Sequence, residues 1–173
     1  LFPFLTILPI QAKETTSVLK FTSLSTEQGL SQSFAYNITQ DNSGFIWIAT
    51  QDGLNKYDGK NITQYRHNPT IANSLSDNFI RKVFLDRAGN LWVGTRKGLN
   101  KFIPSKNHFE NYFAEEQNSN SLRDNTIWDI YQDNNDELWI STETGLQKYN
   151  PENNNFTRVK IRGFEDRLNE IKT

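Results

Sequence analysis

Three stretches of this chain are copies of one another. Gln40 to Asp58 reads QDNSGFIWIATQDGLNKYD, Leu85 to Ile103 reads LDRAGNLWVGTRKGLNKFI, and Gln132 to Asn150 reads QDNNDELWISTETGLQKYN, and they align without a gap. Six positions are identical in all three: Asp41, Asp86, Asp133; Trp47, Trp92, Trp139; Thr50, Thr95, Thr142; Gly53, Gly98, Gly145; Leu54, Leu99, Leu146; and Lys56, Lys101, Lys148. The offsets between copies are 45 and then 47 residues. A period of this size means an array of similar supersecondary units, each too small to bury its apolar face without a neighbour.

The second copy shows what one unit contains. Phe79 to Leu85 is rich in apolar and β-branched residues and reads as a first strand. Asp86-Arg87-Ala88-Gly89-Asn90 is a tight turn, since the Asp side chain can accept from backbone amides two residues on and Gly89 can take positive φ. Leu91 to Thr95 alternates as a second strand, Arg96-Lys97-Gly98 turns, and Leu99 to Ile103 is a third strand. Pro104 to Asn107 turns again before a fourth strand over His108 to Phe113. Four antiparallel strands in about 45 residues is the blade of a β-propeller. Helical repeats of this length need a sustained 3.6-residue period, which the units lack, and a leucine-rich repeat is about half as long.

The expected fold is therefore all-β, with blades over residues 34–78, 79–125 and 126–161. Residues 13–33 supply a strand of a closing blade (Val18 to Thr22) and a connector, and residues 162–173 start a fourth unit, because Leu168 and Ile171 match Ile127 and Ile130. A closed ring takes roughly four or more blades, so an incomplete ring is expected. Residues 1–12 open with the uncharged run LFPFLTILPI, about half of the roughly 20 residues a membrane helix needs. That run has the length of a signal-peptide core and is followed by the small Ala12, which predicts export and a mature segment without a membrane span.

Composition narrows the chemistry. Among 173 residues, 19 basic side chains stand against 20 acidic ones, for a net charge of −1, whereas a dedicated polyanion binder carries a basic excess. Nucleic acid is not an expected partner. The absence of cysteine removes thiolate metal sites and a cysteine nucleophile, and the two histidines, His67 and His108, stand apart from each other. Asp133-Asn134-Asn135-Asp136-Glu137 lacks the glycine and distal Glu of a helical calcium loop. No catalytic residue, metal site or cofactor is expected. Charge is uneven along the chain: Phe79 to Phe113 has seven basic and two acidic residues, Ala114 to Arg158 three basic and nine acidic. Such neighbours of opposite sign would suit a docking surface.

Residues present in every unit are what each unit needs to fold. The Trp residues are either sugar-stacking platforms or wedges between blades, and their recurrence favours wedges. Residues that vary in register are the candidates for function. Gln32-Ser33, Asp77-Asn78 and Asp124-Asn125 precede the first strands, which in a propeller run along the central channel, so these polar side chains would converge on one mouth. Their alternative role is to terminate a loop.

Ser74-Leu75-Ser76-Asp77-Asn78, then Asp86-Arg87-Ala88-Gly89-Asn90-Leu91-Trp92-Val93-Gly94-Thr95 and Gly98-Leu99-Asn100-Lys101-Phe102, resembles the two-component regulator propeller repeat. The resemblance covers about Val18 to Ile161, with the third unit departing at Asp136, in place of the turn glycine, and at Gln147, in place of the asparagine. It implies the periplasmic sensor region of a bacterial membrane receptor whose histidine kinase or diguanylate cyclase would lie outside these residues. It also implies a small-molecule ligand, oligosaccharides among them, with the rest of the receptor and a second copy of the chain as partners. A scaffold for protein contacts and a polysaccharide-active enzyme are the competing functions.

Overall fold

A computed structural model describes residues 21–159; the segments read as an export signal and a fourth unit lie outside them, as do residues 18–20 of the closing strand read over Val18 to Thr22, whose described residues Phe21 and Thr22 are not in a strand. The described residues form three four-stranded antiparallel sheets, each ordered as in the sequence. The first holds β1 (Ala35–Gln40), β2 (Ile46–Thr50), β3 (Gly53–Tyr57) and β4 (Ile62–Tyr65). The second holds β5 (Ile80–Leu85), β6 (Leu91–Thr95), β7 (Leu99–Ile103) and β8 (His108–Tyr112). The third holds β9 (Ile127–Gln132), β10 (Leu138–Thr142), β11 (Gly145–Asn150) and β12 (Asn155–Arg158). The all-β expectation of four-stranded blades holds, and the strands of the second unit differ from those read in its sequence by at most one residue at either end. No helix among the described residues is long and apolar enough to cross a membrane.

Neighbouring sheets pack face to face, with β1 against β5 and β5 against β9. Between the first two sheets lie Trp47, Leu54, Leu75, Ile80, Val83, Val93 and Phe102; between the second and third lie Trp92, Leu99, Leu122, Ile127, Ile130, Ile140 and Phe156. Each large apolar side chain so buried contributes about 1.5–3 kcal/mol. Trp47 packs edge-on against Phe102 of the next sheet, 4.9 Å between ring centroids, and Trp92 does the same with Tyr149 at 4.8 Å, so both are wedges between blades. Val83 and Ile130 are each 1% exposed, whereas Ile38 at the same repeat position is 63% exposed, because no described sheet covers that face of the first one.

The repeated polar residues hold each sheet together. Asp41 Oδ1 accepts from the backbone N–H of Ser43 and Phe45 and its Oδ2 accepts from Trp47 Nε1 at 2.7 Å, so one carboxylate shapes the turn and fixes the indole. Asp86 and Asp133 bind Trp92 and Trp139 in the same way, each at 2.9 Å. Thr50, Thr95 and Thr142 each donate to the carbonyl of the repeated glycine, at 2.8–2.9 Å. The turn glycines Gly44 and Gly89 have positive φ, and Asp136, which replaces them in the third unit, is held there too at φ 64°.

Candidate ligand-binding site

Every first strand carries a β-bulge at the same place. In β1 the pairing skips Tyr36, since Ala35 opposes Thr50 and Asn37 opposes Ala49. In β5 it skips Arg81, between Ile80 opposite Thr95 and Lys82 opposite Gly94. In β9 it skips Trp128, between Ile127 opposite Thr142 and Asp129 opposite Ser141. A bulge leaves one residue unpaired and re-aims its side chain, a device common beside functional sites. Here the re-aimed residue is Tyr, Arg and Trp in turn, on a framework that is otherwise the same.

The three bulge residues lie at the end of the inner edge where the first strands begin, and each meets the residue that follows the second strand of its own sheet or an aromatic of that end. Gln51 Nε2 donates to the Tyr36 hydroxyl, and Trp128 Nε1 donates to Glu143 Oε2 at 2.6 Å. The Arg81 guanidinium sits 3.6 Å from the centroid of a Trp128 ring in the next sheet, and Phe79 has Arg81 at 5.7 Å and Arg96 at 5.0 Å. Phe79 also lies 5.3 Å from Tyr36, which contacts Phe34 at 4.9 Å. Trp128 remains 50% exposed, and Phe34 and Tyr36 are exposed as well. The arrangement offers aromatic faces, guanidinium groups and amide and carboxylate acceptors across three blades, which are the means of holding a polar ligand with flat apolar faces.

Just behind this layer the sheets are stitched together. Asn37, Lys82 and Asp129 share one repeat position; Asn37 Oδ1 accepts from Val83 N–H at 3.1 Å, and Lys82 Nζ pairs with Asp129 Oδ1 at 2.8 Å. At the far end of the second and third sheets Arg87 pairs with Asp136 at 2.5 Å. The basic second unit and the acidic third unit thus meet each other through these pairs.

The six residues expected at the mouth are at this end of the sheets, with unequal freedom. Asn78 Oδ1 accepts from His67 N–H and Asn125 Oδ1 from Ala114 N–H, both at 2.7 Å, tying the end of one blade to the start of the next. Asp77 Oδ1 accepts from Asn78 N–H and Asp124 Oδ1 from Thr126 N–H, the local bonds of residues that shape a loop. Gln32 Oε1 accepts from Gln51 N–H at 3.2 Å, and Ser33 is exposed. Sequence reasoning did not single out as ligand contacts the bulge positions Tyr36, Arg81 and Trp128, or the residues that follow the second strands, Gln51, Arg96 and Glu143. The signal for them is the one used for the others: they differ from unit to unit in fixed register.

A cleft of about 830 Å³ lies at the opposite end, between the second and third sheets. Its lining includes Asp86, Arg87, Asp136, Glu137, Lys148 and Tyr149. Its charges are largely matched within the protein: Arg87 to Asp136, and Lys148 Nζ to Glu137 Oε1 at 2.8 Å. Asp86 and Asp133 are occupied with their turn amides and Trp N–H groups.

Residues 29–52, 74–97 and 121–144 each match the family described as Two component regulator propeller. Histidine kinase P4 of Formosa agariphila is 44% identical over 75 residues, which are 43% of this chain and 5% of that protein. The solved extracellular domain of a hybrid two-component system from B. thetaiotaomicron superposes with a TM-score of 0.75 at 29% identity, over 80% of this chain and 20% of that one. The chain therefore spans a fifth or less of the length of these relatives. Its three described sheets are blades of the two-component regulator propeller family.

Proposed function

We propose that this chain is part of the extracytoplasmic, ligand-sensing region of a bacterial two-component receptor and that it binds an oligosaccharide where the first strands begin. The observation that carries the reading is the bulge repeated in β1, β5 and β9, which turns Tyr36, Arg81 and Trp128 out of the ladder at one end of the inner edge. An indole half open to solvent and a tyrosine ring present faces on which the C–H face of a pyranose can lie, while Gln51, Glu143 and the guanidinium groups supply hydrogen bonds for its hydroxyls. The likeness to the extracellular domain of a hybrid two-component system, and to a histidine kinase, supports a sensor role and a periplasmic location.

The geometry also suggests how occupancy reaches the rest of a receptor. A ligand laid across three bulge residues touches three blades at once and favours the arrangement in which they are closest. Asn37 to Val83 and Lys82 to Asp129, immediately behind, make a shift of one blade felt by the next. Signal then leaves as a change in packing between blades and the segments docked on them. Glycan-array binding by the whole protein tests the reading: retention of oligosaccharides that is lost in Trp128→Ala supports it, and retention of none contradicts it.

A further inference from the structure

Resting on that reading, we infer that the mouth recognises an anionic group carried on the sugar, a carboxylate or a sulfate ester, and that Arg81 is the residue that reads it. Arg81 is stacked by its flat face, 3.6 Å from a Trp128 ring centroid, which leaves the in-plane N–H donors of the guanidinium to be satisfied edge-on. Its Nη1 is buried from solvent and has no acceptor among the described residues. Buried donors are normally paired, and a charged one strongly so, so Nη1 gains its partner when the stack on Trp128 opens to admit an acceptor.

The surroundings point the same way. Arg96, the other guanidinium contact of Phe79, is exposed and, like Arg81, enters no ion pair among the described residues. Neither guanidinium forms an ion pair with a carboxylate of this end among the described residues, where Glu143 accepts from Trp128 Nε1 and Asp77 and Asp124 accept from backbone amides of their own loops through one oxygen each. Two guanidinium groups within 5.7 Å of the centroid of one phenyl ring, with neither neutralised, form a positive lip on a chain whose net charge is −1. A planar fork of donors matches the oxygens of a carboxylate or sulfate two at a time, while the adjoining Trp128 ring supports the sugar that bears it.

The test is an array of uronate-bearing, sulfated and neutral oligosaccharides probed with the whole protein, followed by calorimetry on the retained glycans, with sodium sulfate as the ion-alone control. The retained glycans are expected to carry carboxylate or sulfate, and the uronate and sulfate subsets tell the two sources apart. Arg81→Gln should weaken binding about ten- to hundredfold, the loss of a charge-assisted bond, and Arg81→Lys should recover only part because it lacks the fork. Where Arg81→Gln proves unfolded by its melting curve, the exposed Arg96→Gln must still weaken binding. A retained set of neutral glycans, sensitive to Trp128→Ala and indifferent to Arg81→Gln, would overturn the anion assignment and leave the saccharide reading standing. Retention of no glycan would overturn both.

Discussion

Asn100 and Ser76, one on the third strand of the second blade and one in the loop before it, are joined twice. Asn100 Oδ1 accepts from the Ser76 N–H at 2.8 Å, and Asn100 Nδ2 donates to Ser76 Oγ at 3.0 Å and to the Val93 carbonyl at 3.0 Å. Ser76 Oγ meets Thr95 Oγ1 at 2.9 Å, so a fully buried amide ties the incoming loop to β6 and β7. Asn55 and Ser31 repeat the arrangement in the first blade. In the third blade Gln147 keeps one of these bonds, accepting from Arg123 N–H at 2.6 Å, and makes a new one, donating to the Ser121 carbonyl at 3.1 Å. Its extra methylene reaches the carbonyl in place of the serine hydroxyl that Arg123 removed.

Asn100→Ala strands several buried groups at once, and each orphaned donor or acceptor costs about 1–3 kcal/mol. The expected loss is about 3 kcal/mol or more in denaturant unfolding. A loss below about 1 kcal/mol would mean that water replaces the amide, as at an exposed site.

Gly98 and Gly145 occupy the same turn and should respond differently to alanine. Gly98 has φ 140°, and a Cβ there would stand 2.9 Å from the Tyr112 carbonyl oxygen, a backbone atom that cannot yield. Gly145 has φ 144°, but its Cβ would meet Arg123 Nη1 at 3.3 Å, the end of a flexible side chain. Both substitutions incur left-handed strain of about 1–2 kcal/mol, and only Gly98→Ala adds a backbone clash, for roughly 2–4 kcal/mol in all. Paired thermal melts check the order.

Asp136→Gly should stabilise the third blade slightly. The αL conformation costs a non-glycine residue about 1–2 kcal/mol, eased for Asp, whereas the exposed pair with Arg87 that the change removes contributes about 0–1 kcal/mol. The difference is a gain of up to about 1 kcal/mol, read as a higher midpoint. Asp136→Ala, which loses the pair and keeps the strain, should lower it.

Stability should fall at both extremes of pH for nameable reasons. The Asp133 carboxyl is held below its ordinary 3.8, chiefly by the bond from Trp139 Nε1 and then by the Glu137 and Asn135 amides. A depressed carboxyl stabilises fully above its unfolded value and loses that contribution as pH falls through its folded one, so the loss sets in below about pH 4. Burial pushes the Tyr65, Tyr112 and Tyr149 hydroxyls above their ordinary 10.0. Above about pH 10 the unfolded chain sheds protons that the folded one keeps, and stability falls as pH rises. Trp139→Phe should move the Asp133 titration upward in carboxyl-detected NMR.

How much was legible in the sequence follows from which features are local. Strands and turns depend on residues within about ten positions, and three copies print them three times; the bond from each Trp to the Asp six residues before it is as local but was not read. The bulge is not local in that sense: a strict period of two over Phe79 to Leu85 puts Arg81 and Val83 on one face, but the structure buries Val83 between blades and turns Arg81 to the mouth. Polarity alone pointed three residues before the bulges, to Asn78 and Asn125, whose side-chain oxygens are bound by the backbone N–H groups of His67 and Ala114. The opposite charges of the second and third units were visible, but not that Lys82 and Asp129 would face each other, since that needs two strands 47 residues apart to lie side by side.

Hydrogen exchange of the whole protein with and without a retained oligosaccharide tests the central claim most directly. Binding at the bulge residues predicts added protection at 34–37, 79–82 and 126–129 and in the turns at Gln51, Arg96 and Glu143, with the turns at 86–90 and 133–137 unchanged. Protection confined to those last two turns would place the ligand in the opposite cleft and contradict the account.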